Sequence, residues 1–99
     1  GAVYRLKIKG QEFDFYEGAR KTHRVKIKND SFNVYDGGSV RLMKGKWKHS
    51  RIVVRSKADE SKQYTILGTE SFFVAGALSL PIDPPFKALM AAYFKEKGL

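Results

Sequence analysis

The chain has no cysteine, one tryptophan, two histidines and three prolines among its 99 residues. Without cysteine there is neither a disulfide framework nor a thiolate metal site. His23 and His49 stand far apart in the chain, so no structural zinc is expected, and no other metal or cofactor is implied. No apolar run approaches the roughly 20 residues of a membrane-spanning helix, and no membrane role is expected. The first residues alternate apolar and basic side chains instead of forming a leader-like apolar block. The expected location is therefore cytoplasmic or nucleoid/nuclear rather than secreted. No P-loop, helix-turn-helix, zinc-finger or RNA-recognition pattern can be read.

Acidic residues are the other scarcity. Ten Asp and Glu oppose 19 Lys and Arg, which leaves a net charge of +9. The surplus is not spread evenly. Residues 1–62 hold 16 basic and 7 acidic side chains, whereas residues 63–99 balance at three of each. Between Arg20 and Lys57, 12 basic residues meet only Asp30 and Asp36. A charge confined to one region makes a directed field, and its natural partner is a polyanion.

The remaining pattern is that of short strands. Val3 to Lys9 alternates strictly, with Tyr4, Leu6 and Ile8 on one face and Arg5, Lys7 and Lys9 on the other. Glu12 to Tyr16 reads as its return strand after the Gly10-Gln11 turn, with Phe13 and Phe15 inward. Glu12 and Asp14 are taken to lie on opposite faces, and so not as a carboxylate pair. After a polar connection from Glu17 to Thr22, His23 to Lys28 repeats the opening pattern with Arg24, Lys26 and Lys28 outward. Asp36-Gly37-Gly38 marks a hairpin between Ser31–Tyr35 and Ser39–Met43. Lys44 to Ser50 is a basic loop or a strand extension; Arg51–Arg55 and Gln63–Leu67 are further strands. Residues 71–80 fit a buried strand or a short helix, and Phe72-Phe73-Val74 tips the reading to strand. Asp83 and Pro84 open an amphipathic helix with Phe86, Leu89, Met90, Tyr93 and Phe94 along one face.

The expected fold is one α+β domain over residues 1–99. It comprises a curved, mainly antiparallel sheet of about six to eight strands and one C-terminal helix on its apolar face. Part of that helix face is also a candidate homodimer contact.

The functional expectation follows from the charged strand faces. If the two basic strands share a sheet, Arg5, Lys7, Lys9, Arg24, Lys26 and Lys28 lie on one surface, which Arg41, Arg51 and Arg55 extend. Residues two apart on a strand are separated by about 6.6–6.8 Å, close to two steps of a nucleic-acid backbone at roughly 3.4 Å each. Lys44, Lys46 and Lys48 flank Trp47, the arrangement in which a ring stacks on a base while cations hold phosphates. The bland alternatives are solubility for the cations and a core position for the indole. The balance favours non-catalytic binding of DNA or RNA, single strands slightly ahead. Two other classes compete: a protein-interaction module docking an acidic surface, and a small ribonuclease using His49 or His23.

Overall fold

The computed structural model describes residues 3–99. Seven strands follow one another in sequence: β1 (Tyr4–Lys9), β2 (Glu12–Glu17), β3 (Arg20–Ile27), β4 (Ser31–Asp36), β5 (Arg41–Lys48), β6 (Arg51–Ser56) and β7 (Gln63–Ile66). Each pairs antiparallel with the next, giving an open meander in the order β1-β2-β3-β4-β5-β6-β7. Two helices close the chain, α1 (Phe72–Ser79) and α2 (Pro84–Glu96). Among the described residues no helix is long and apolar enough to cross a membrane.

The alternation in the sequence sets the two faces of the sheet. Phe13, Phe15, Val25, Phe32, Val34, Ile52 and Val54 are buried on one side, and both helices contribute to that same cluster. Phe13 stands 4.9 Å from Phe94 of α2 and 5.9 Å from Phe73 of α1, ring centre to ring centre. Burying such rings contributes about 1.5–3 kcal/mol apiece, so this aromatic centre anchors the layers. On β5, Gly45 makes room for Phe32 of β4, since a Cβ there would overlap that ring.

The helices differ from the sequence expectation in two respects. Residues 71–80 are not a strand, and the protein therefore has two helices rather than one. Ser71 caps α1 by accepting from the Val74 N–H at 3.2 Å, and its hydroxyl donates to the Leu99 carbonyl at 2.9 Å. Gly76, a residue that weakens an isolated helix, lets α1 approach the sheet: a Cβ there would lie 2.8 Å from Val25 Cγ1. Helix α2 packs chiefly beside α1. As a result its stripe is split, with Met90 and Phe94 buried while Leu89 and Tyr93 stay exposed.

The strand boundaries also shift in two places. β3 begins at Arg20, three residues earlier than the pattern implies, because the turn at Gly18 is tight. Lys44 to Lys48 continues β5 as regular strand, so the basic stretch is an extension and not a loop.

Candidate nucleic-acid interface

The outer face, opposite the helices, is organised by register into rows that run across the strands. One row reads Lys7, Asp14, Arg24, Tyr35, Arg41. The next reads Lys9, Glu12, Lys26, Asn33, Lys44, Arg55, Gln63. Arg5, Lys7, Lys9, Arg24 and Lys26 thus do share a surface, while Lys28 follows the end of β3. That surface is not of one sign, however. β2 lies between β1 and β3 and turns both Glu12 and Asp14 outward, because residues two apart on a strand point the same way. Contrary to the sequence expectation, Glu12 and Asp14 share one face.

Asp14 pairs with two of the neighbouring cations. Arg24 grips it with both edges of the guanidinium, Nε donating to Oδ1 at 2.6 Å and Nη2 to Oδ2 at 3.1 Å. Lys21 Nζ lies 3.8 Å from Oδ2. The hydrogen bond from Arg24, reinforced by the charges of Arg24, Lys21 and Lys7, holds the Asp14 carboxyl below the usual carboxylate range against the opposing effect of burial. Arg5 is occupied too, with its guanidinium 4.8 Å from the centre of the Tyr16 ring. Lys26 lies 5.7 Å from the Tyr35 ring.

β5 and β6 are built differently. Lys44 faces Arg55 and Lys48 faces Arg51 directly across the ladder, two like-charge pairs that each destabilise an unliganded hairpin by a few tenths of a kcal/mol or more. Among the described residues none of these four makes an ion pair. Together with Arg41, Lys46 and Lys57 they line a groove of about 920 Å³, along with His49. Only Asp30 and Glu60 supply negative charge to its lining. Arg55 Nη2 donates to Gln63 Oε1 at 3.0 Å, a neutral partner that orients the guanidinium without cancelling it. Lys57 was not singled out by the strand pattern, although it closes the run of 12 cations.

The turn joining these strands is itself unusual. His49 and Ser50 have φ of 51° and 63°, the left-handed region that a two-residue hairpin normally fills with Asn-Gly. Two non-glycine residues held there cost local stability. The same hairpin therefore combines backbone strain with charge repulsion.

Trp47 alternates out of step with its lysine neighbours. It pairs opposite Ile52, which in turn faces Ile66, so the indole belongs to the helix side of the sheet. It stands at the open end of that row, 40% exposed, and reaches the lining of the basic groove from the sheet's end.

The two histidines are separated. His49 lines the groove, whereas His23 sits in β3 opposite Asp36, its Nδ1 3.1 Å from Thr22 Oγ1. Burial lowers the His23 pKa, partly offset by the Asp36 charge. Among the described residues no three His, Asp or Glu side chains come together as a metal site. In comparisons with known proteins, no family model, no curated protein and no solved structure matches the chain.

Proposed function

We propose that the protein binds nucleic acid through its phosphate backbone, without catalysis, at the outer face of β5 and β6. One observation carries this reading: seven cations line one groove with two carboxylates and, among the described residues, no ion pair between them. Mutually repelling charges on a strained hairpin lower stability in the free protein. A bound polyanion reverses the sign of the charge penalty, and release of its counterions supplies the driving force. The helices occupy the opposite side of the sheet, which leaves the groove open to a long ligand. Arg41, Lys44, Lys46, Lys48, Arg51 and Arg55 are the phosphate contacts in this reading. The β1–β3 cations contribute mainly to the long-range field, because β2 interleaves carboxylates among them.

The test is a set of binding isotherms for single- and double-stranded DNA and RNA of equal length over a range of salt. Six phosphate contacts give a slope of log K against log salt near −4 on single strands and near −5 on duplex. A slope near zero, or binding to acidic proteins with no oligonucleotide affinity, contradicts the proposal.

A further inference from the structure

A second, smaller cleft adjoins the basic groove at the end of the sheet. It has a volume of about 330 Å³ and is bounded by Trp47, Arg51, Ile66, Leu67, Thr69 and Glu70. Trp47 and Arg51 line both this cleft and the basic groove. The indole is therefore a partition between a cationic channel on the outer face and a mixed cleft at the sheet's end. We propose that this cleft takes one unpaired nucleobase of a single strand whose backbone lies along β5 and β6. The inference rests on the backbone-binding reading above and narrows it to single strands.

The chemistry of the cleft suits a base and not a phosphate. Its apolar surfaces are Trp47, Ile66 and Leu67, and Leu67 is 78% exposed, more than any other large apolar side chain described. A base has two apolar faces and a polar edge, so an exposed indole and a leucine are matched to its faces. Arg51, Thr69 and Glu70 line the same cleft and supply donors and acceptors for the edge. Glu70 is decisive for the sign: a carboxylate repels phosphate but accepts from an exocyclic amine, as acidic side chains do from cytosine. An amine-bearing base is accordingly preferred over uracil or thymine.

Geometry supplies the connection. Side chains alternate along β5, so Lys46 and Lys48 point to the outer face while Trp47 between them points to the other. A strand held by Lys48 and Arg51 reaches the β5–β6 turn, where the sheet ends and the backbone can pass from one face to the other. There its base swings against the indole. A duplex cannot make this crossing, because its bases are paired and stacked within the helix.

The experiment uses the protein's single tryptophan as its own reporter. The wild type is titrated with a single strand and with a duplex of equal length, in DNA and RNA forms, while emission and affinity are followed together. The expected result is quenching by single strands alone. Trp47→Leu is expected to lose about 5- to 150-fold in single-strand affinity with an unchanged salt slope and unchanged duplex affinity. Unchanged emission at saturation, with salt-dependent binding retained, overturns the base cleft and leaves the backbone reading standing. Absence of salt-dependent binding in the wild type overturns both. Should Trp47→Leu prove unfolded by circular dichroism, the wild-type quenching contrast between single strand and duplex decides alone.

Discussion

The β1–β3 and β5–β6 parts of the outer face carry the same residue types to opposite effect. In the first, β2 inserts Glu12 and Asp14 between two basic strands, and Arg24 and Lys21 both pair with Asp14. In the second, Lys44 faces Arg55 and Lys48 faces Arg51 with no carboxylate between them. The first arrangement is that of a surface at rest. The second is unfavourable in isolation, and departures from local stability rules concentrate where a protein does its work. On the proposed reading, what separates a binding face from a merely basic one is the strand that lies between the cations, not their number.

The contrast is broken most directly by removing charge from each part in turn. Lys44, Lys46, Arg51 and Arg55 changed together to Gln should lower single-strand affinity about 500-fold at 0.1 M salt and flatten the slope from about −4 to about −1.5. Changing Lys7, Lys9 and Lys26 to Gln should cost less than about fivefold, since only the distant field is lost. Equal losses in the two variants would erase the distinction.

Asp14→Asn sharpens it from the other side. The substitution frees Arg24 and Lys21, and it should raise affinity about fivefold through one added phosphate contact. It should also cost about 1–2 kcal/mol of stability in a urea titration, through the lost charge-assisted hydrogen bonds.

The acid limb of stability follows from the same carboxylate. Because the Asp14 pKa is lowered on folding, its contribution is complete above the unfolded value near 3.9 and is lost as pH falls through the lower folded value. The gap in stability between wild type and Asp14→Asn should therefore hold constant from about pH 7 to 5 and narrow as the pH falls below about 4. A gap that widens toward acid would reverse the sign and refute the pairing.

The smallest effect concerns the strained turn. Replacing His49-Ser50 by Asn-Gly should raise stability by about 1 kcal/mol by supplying residues that tolerate positive φ. It should change affinity by no more than the loss of one minor contact. A destabilised protein would show that the turn's side chains hold the hairpin.

Much of this arrangement is written locally. The alternation in Val3–Lys9 and the Asp36-Gly37-Gly38 turn specify hairpins through nearest neighbours, and the structure has strands and turns there. The face shared by Glu12 and Asp14 was equally legible, since their spacing of two residues is enough; their compensating role depends on it. Residues 71–80 are another matter. Phe72-Phe73-Val74 favours a strand locally, and the helix prevails through Ser71 at its start and through the close approach that Gly76 allows to Val25. That approach is tertiary and has no local signature. The junction at Trp47 is hidden for the same reason: Leu67 and Glu70 line one cleft with the indole only because β7 pairs beside β6.

The central claim, that binding is localised to β5 and β6, is tested most directly by following backbone amide resonances during titration with a short single-stranded oligonucleotide. The account predicts saturable shifts concentrated between Arg41 and Lys57, with the amides of Arg5 to Lys28 nearly unmoved. Shifts centred on β1–β3, or distributed evenly over the outer face, would contradict it.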